Sequence, residues 1–159
     1  MRREFGKLIV ELAEKDKDIY LVVGDIGHGI FDEFKKKFRD RYLNLGLTEQ
    51  SIIGAASGMA LEGLKPWVYT ITPFLLERPF EQVKIDINQQ KANVKLVGYA
   101  DYPELGPTHA TDVKGIAKLL QNTKSYFPES SEETRKAVYE AYSHCGPCFI
   151  SLKRDKDIK

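Results

Sequence analysis

The chain has 159 residues, 42% of them apolar and 30% charged, with 24 Lys and Arg against 23 Asp and Glu. That length supports one domain whose core needs no staples, and a formal net charge of +1 argues against the clustered basic excess of a nucleic-acid footprint. No apolar run approaches the ~20 residues of a membrane span, the opening residues lead into an amphipathic stretch and not an apolar signal core, and two cysteines are too few for a disulfide scaffold, so a cytoplasmic α/β domain is expected.

Phe5, Leu8, Ile9 and Leu12 recur at spacings of three and four, which predicts an opening helix. The run from Ile19 to Val23 is continuously apolar and ends in Gly24-Asp25, as a strand buried on both faces does. Ile30, Phe31, Phe34 and Phe38 mark a second helix, and residues 42–45 a second strand. Thr48-Glu49-Gln50 opens a helix through Leu61 with Gly63 as its C-cap. Ala55, Ala56, Ser57, Gly58 and Ala60 make that helix small, so close packing against its backbone is expected. A strand over 67–71 precedes Pro73-Phe74 and a helix to about Gln90. A strand over 94–98, a loop over 99–111, a helix near 112–120, a strand at 124–127, a helix at 131–143 and a strand at 148–152 follow. Strands and helices alternate with short connections, the pattern of a doubly wound, mostly parallel six-stranded sheet with helices on both faces. The domain is expected over 1–153, with a charged tail over 154–159.

In such folds ligands sit at the carboxyl ends of the strands. Chemistry is therefore expected in loops 24–29, 46–50, 72–78, 98–111 and 153–155, which hold Asp25, His28, Glu49, Phe74, Arg78 and His109. Two motifs elsewhere point to other chemistry. Cys145-Gly-Pro-Cys148 has the spacing of a redox dithiol, but that chemistry needs the first Cys at a helix N-terminus. Here the motif follows a predicted helix and enters a predicted strand, so a Gly-Pro turn with Cys148 buried is expected; with His144 it is at most half of a zinc site. Gly24-Asp-Ile-Gly27-His-Gly29 fits neither G-x-G-x-x-G nor a P-loop, although a dinucleotide reading stays open. Lys35-Lys36-Lys37 reads as a solvated helix face.

At Asn44-Leu-Gly-Leu-Thr-Glu49-Gln50 an acidic residue opens a small-residue helix straight after a strand. With it stand Val23-Gly24-Asp25-Ile-Gly27, Ile53-Gly-Ala-Ala-Ser-Gly58, Pro73-Phe74-Leu-Leu-Glu-Arg78-Pro-Phe-Glu-Gln82, Asn93-Val-Lys-Leu-Val-Gly98 and Leu105-Gly-Pro-Thr-His109. In their order and spacing over about residues 3–153, these blocks resemble the pyrimidine-binding domain of the transketolase family. The resemblance implies thiamine diphosphate as cofactor. Glu49 would hydrogen-bond a ring nitrogen of its aminopyrimidine, favouring the tautomer that takes the proton from the thiazolium carbon. Phe74 would stack on the pyrimidine, and Asp25 would lie near the cofactor and the subunit contact. His109 would donate to a substrate oxygen or shuttle a proton. Arg78 matches a position that binds substrate oxygen or makes an interface salt bridge, His28 would line the entrance or sit in the turn, and Lys153 or Arg154, at the end of the last strand, would supply an anion contact.

The pattern also departs from transketolases proper. These usually carry an acid two before the Gly-Pro-Thr-His glycine or beside it that helps read sugar stereochemistry; here Leu105 stands beside Gly106 with Glu104 before it, and the loop lacks a further histidine that meets sugar phosphate. The diphosphate half of these enzymes carries Gly-Asp-Gly and a later Asn that hold Mg2+ and the phosphates, and this sequence has no Gly-Asp-Gly. No metal ligand is therefore expected on this chain. A separate diphosphate-binding subunit would supply that half and the Mg2+, in a heterotetramer or around a homodimer core, with the helix over 48–63 and the helix after Phe74 as contact surfaces. The expected reaction is transfer of a two-carbon ketol unit between small sugars. Half of a 2-oxoacid decarboxylase or dehydrogenase, a deoxyxylulose phosphate synthase fragment and a non-catalytic module on the same fold remain alternatives.

Overall fold

The computed structural model describes residues 1–99 and 103–154. The middle of the loop over 99–111 and the expected tail beyond Arg154 lie outside the described residues. The strands are β1 (Ile19–Val23), β2 (Tyr42–Asn44), β3 (Lys65–Ile71), β4 (Lys95–Tyr99), β5 (Lys124–Tyr126) and β6 (Cys148–Leu152). They form one six-stranded sheet in the order β2-β1-β3-β4-β6-β5, and every pairing is parallel. All the carboxyl ends therefore open on one edge of the domain.

Register explains why the strands read as continuous apolar runs. Val22, Val68, Leu96 and Phe149 stand side by side across β1, β3, β4 and β6 and face one core. That core is closed by α3 (Glu49–Leu61), α4 (Thr72–Leu76) and α6 (Val113–Leu119). One residue further on, Val23, Tyr69, Val97 and Ile150 point the other way, onto α1 (Arg2–Lys15), α2 (Asp32–Lys37) and α7 (Ser131–Ser143). Both faces are buried, so alternation of polar and apolar residues is lost. Each fully buried large apolar side chain contributes roughly 1.5–3 kcal/mol.

The core under β1 and β3 also fixes the loop between β1 and α2. Phe31 is buried edge-on between Tyr69, at 4.8 Å between ring centres, and Phe5, at 5.9 Å. Arg41, just before β2, donates to the carbonyls of Ala13, Asp16 and Ile19, joining the end of α1 to the start of β1.

Two expectations are corrected. The second helix is shorter than the Ile30–Phe38 spacing suggests, because Ile30 and Phe31 belong to the turn from Gly27. The helix expected from Pro73 to about Gln90 is broken. Residues Thr72–Leu76 form α4, α5 covers only Phe80–Gln82, and a π-helical turn runs over Val83–Gln89. Pro79 has no N–H to give and disfavours helical backbone at the residue before it, so the chain turns at Arg78. The π turn leaves the Asp86 carbonyl to accept from Ser57 Oγ of α3 at 3.0 Å.

At the opposite end of the sheet, Lys95 is 2% exposed. Its ammonium donates to Asn93 Oδ1 at 2.6 Å and to the carbonyls of His144 at 2.8 Å and Gly146 at 2.6 Å. Burial pulls its pKa down to about 8, still charged at neutral pH inside that cage. The His144–Cys148 segment is thus a turn that offers two carbonyls to an amine. Cys145 is exposed and follows α7 instead of opening a helix, the position a redox dithiol requires, while Cys148 is buried at the start of β6, where burial pushes its thiol up.

Candidate active site

The carboxyl ends of β1, β2 and β3 converge. At the end of β1, Gly24 is buried so close to β3 that a Cβ would stand 3.1 Å from Thr70 Oγ1. Asp25 follows with φ +52°, a left-handed conformation that Asp tolerates better than most residues. Asn44, the last residue of β2, holds it there. The Asp25 N–H donates to Asn44 Oδ1 at 3.1 Å, and Asn44 Nδ2 returns a bond to Asp25 Oδ1 at 3.1 Å. The same Asn44 oxygen accepts from the Gly46 N–H at 3.1 Å. The loops after β1 and β2 are therefore one hydrogen-bonded unit. His28 lies exposed farther along the first of them.

Glu49 is the first residue of α3, where a helix favours negative charge. It is 3% exposed. Its Oε1 accepts from Arg78 Nη1 at 2.8 Å. The Arg78 Cζ in turn lies 3.4 Å from the centre of the Phe74 ring. Phe74 is 7% exposed on α4, directly after β3. Its other neighbour is His109, whose ring centre is 4.9 Å away at an interplanar angle of 62°. His109 Nδ1 and Thr108 Oγ1 are 3.0 Å apart. Glu49, Arg78, Phe74 and His109 are thus a chain of direct contacts drawn from three loops, and Gln50 Nε2 adds a bond to the Arg78 carbonyl at 3.1 Å. The break at Pro79 is what allows Arg78 to turn back onto Glu49.

The transketolase pyrimidine-binding domain family matches residues 1–156. The chain belongs to that family. It is 38% identical over 123 residues to a subunit of the apulose-4-phosphate transketolase of Actinobacillus succinogenes, covering 75% of this chain and 40% of that protein. It is 30% identical to the like-named subunit of Phocaeicola vulgatus, covering 96% and 51%. The chain thus spans about half or less of the length of these relatives. A 1-deoxy-D-xylulose-5-phosphate synthase from Dictyoglomus thermophilum is 30% identical over 97% of this chain and 25% of its own. Among solved structures, a split-gene transketolase described as an inactive beta4 tetramer superposes with a TM-score of 0.86 at 28% identity, covering 99% of this chain and 55% of its own.

Within this transketolase-type domain, the sequence-expected residues are not all brought together. Asp25 and His28 share the loop after β1, while Lys153 is ion-paired with Glu129 near the end of β5. Glu104 and Leu105 are exposed in a short 3-10 turn. Three polar residues at these strand ends escaped assignment from sequence. Asn44 is the clamp on Asp25; an Asn closing a strand two residues before a glycine was its signal. Thr70 and Thr72 bury hydroxyls that have no hydrogen-bond partner among the described residues; threonines at the end of an apolar strand were theirs. Shallow grooves of about 330 and 500 Å3 flank β5, at the sheet edge away from Glu49 and Phe74. No helix among the described residues is long and apolar enough to cross a membrane.

Proposed function

We propose that this chain is the pyrimidine-binding half of a thiamine-diphosphate active site, completed by a separate diphosphate-binding chain, and that the assembled enzyme transfers a two-carbon ketol unit between sugars. One observation carries it: a buried carboxylate and a buried aromatic face, on different elements, meet on the two sides of one planar nitrogen group, the Arg78 guanidinium. A flat heterocycle with a ring nitrogen fits the same pair of contacts, its nitrogen toward Glu49 and its face toward Phe74. The orphaned hydroxyls of Thr70 and Thr72 add polar groups at the same strand ends.

When bound, thiamine diphosphate supplies a carbanion equivalent and an electron sink for cleaving a bond next to a carbonyl. Glu49 holds the ring nitrogen through its buried carboxylate and shares the proton there. Phe74 fixes the ring plane. His109, packed edge-on against Phe74, is assigned to donate to a substrate oxygen or to move a proton. Asp25, locked by Asn44, is assigned to the cofactor edge and the subunit contact. His28 is assigned to the substrate entrance and Arg78 to a substrate oxygen or an interface salt bridge, and Lys153 reaches a substrate anion only by leaving Glu129. Mg2+ and the diphosphate belong to the partner chain, since the Gly-Asp-Gly that holds them is not in this sequence.

The outward face of α3 is the proposed contact with another chain, within a heterotetramer or a homodimer core. Gly54 and Gly58 are exposed on it, with no heavy atom of the described residues outside the adjacent backbone of α3 within 4 Å of where a Cβ would stand, and Leu61 beside them is 69% exposed. The backbone contact expected from the small residues is therefore left to a partner. The two free thiols fit a reducing cytoplasm. Calorimetry with thiamine diphosphate and Mg2+ tests the proposal. Tight binding is expected only when this chain and a Gly-Asp-Gly-bearing partner are mixed, and tight binding unchanged by Glu49→Gln and Phe74→Ala overturns it. A sugar donor and a 2-oxo acid donor, assayed side by side on the mixed pair, separate ketol transfer from 2-oxo acid decarboxylation.

A further inference from the structure

Arg78 satisfies both side chains assigned to the pyrimidine. Its Nη1 lies 2.8 Å from Glu49 Oε1, and its Cζ lies 3.4 Å from the Phe74 ring centre. At that separation a guanidinium plane is in van der Waals contact with the ring face, so a second flat group cannot lie on the same patch. The Glu49 side chain is 4% exposed and that of Arg78 39%. The guanidinium therefore covers the carboxylate from the solvent side. The Arg78 carbonyl is held by Gln50 and the next residue is Pro79. The backbone is fixed while the long side chain can swing.

We propose that Arg78 is a displaceable gate that selects what enters this site. In the free chain its guanidinium takes the place of the aminopyrimidine on Glu49 and Phe74, and the ligand must exchange with it. This rests on the pyrimidine reading above. The exchange discriminates by chemistry. A flat ring carrying an N–H or a protonable nitrogen replaces the bond that Glu49 loses. A flat ring without one leaves a buried carboxylate bare, which is costly, and Arg78 closes again. Once displaced, the guanidinium moves into solvent, where it is already partly exposed, so opening needs no rearrangement of the core.

The test uses the full chain and thiamine, the cofactor without its diphosphate, as the probe. Ligand-observed NMR titration is expected to give a dissociation constant for Arg78→Met at least about tenfold lower than for wild type, because removing an internal competitor restores the closed fraction of sites. The gain is expected to vanish in Glu49→Gln/Arg78→Met. A second measurement needs no Arg78 variant: in wild type, thiamine is expected to move the Arg78 Nε–H resonance toward that of a solvent-exposed arginine, as the guanidinium leaves both Glu49 and Phe74. Equal or weaker binding by Arg78→Met, an unmoved Arg78 resonance while thiamine binds, or no binding by either chain each overturns the gate. The pyrimidine reading is judged separately, by binding of thiamine diphosphate to the mixed pair. Binding there, with Arg78→Met no tighter than wild type on thiamine, leaves that reading standing and removes the gate.

Discussion

One methyl group added at Gly27 tests how the first loop of the site is held. Gly27 has φ +97°, and a Cβ there would stand 2.5 Å from two carbons of the Phe31 ring. Phe31 is 1% exposed and wedged between Phe5 and Tyr69, so it cannot yield by swinging outward. The left-handed backbone alone costs an L side chain about 1–2 kcal/mol. Overpacking a full core costs a further 1–3 kcal/mol or so. Gly27→Ala should therefore lose roughly 2–5 kcal/mol. Gly29 is the control, since its φ is +73° but no heavy atom of the described residues beyond its chain neighbours lies within 4 Å of its Cβ position. Gly29→Ala should lose only the backbone part, about 1–2 kcal/mol. Urea unfolding followed by fluorescence of the buried Trp67 measures both, with unchanged m-values confirming that the transition is the same. Equal losses for the two variants, or a loss below about 1 kcal/mol for Gly27→Ala, would refute the claim that the aromatic cluster sets this loop.

The other expectations concern single contacts. Asn44→Ala removes the bonds to Asp25 and Gly46 and should cost about 1–2 kcal/mol; faster hydrogen exchange at those two amides is its local signature, and unchanged exchange contradicts it. Lys95 keeps its proton up to about 8 when folded and to the ordinary 10.5 when unfolded, so stability should rise with pH between those values as the unfolded chain holds the extra proton. From pH 7.5 to 9.5, wild type should gain about 2 kcal/mol relative to Lys95→Met, and parallel curves would contradict this. A thiol reagent at pH 8 should modify Cys145 promptly in the native chain and Cys148 only on unfolding; equal rates would mean that the start of β6 is open.

The fold was legible because double-sided burial and helix spacing agree along the chain: β1, β4 and β6 stand where apolar runs predicted them. What sequence periodicity leaves open is lateral order, and β6 inserts between β4 and β5 although it follows both. The break after α4 was visible in Pro79, but the apolar spacing through Val83 and Ile87 masked it, because a π turn keeps those residues on the core side. At the site, Glu49, Phe74 and His109 were named from their motifs, and the structure places them in one connected cluster. The Arg78–Glu49 pair is a tertiary contact across 29 residues, which local spacing does not encode. Lys95 carried a signal, a lone lysine inside an apolar strand, whose meaning depends on carbonyls supplied some 50 residues later.

In the proposed function, Glu49 completes an active site shared with another chain. Two-carbon transfer by this chain mixed with a diphosphate-binding partner, thiamine diphosphate and Mg2+ tests it most directly. Neither chain alone should be active, the mixture should be, and Glu49→Ala should lower kcat by about 10^2–10^4. An active mixture in which Glu49→Ala changes nothing would contradict the account.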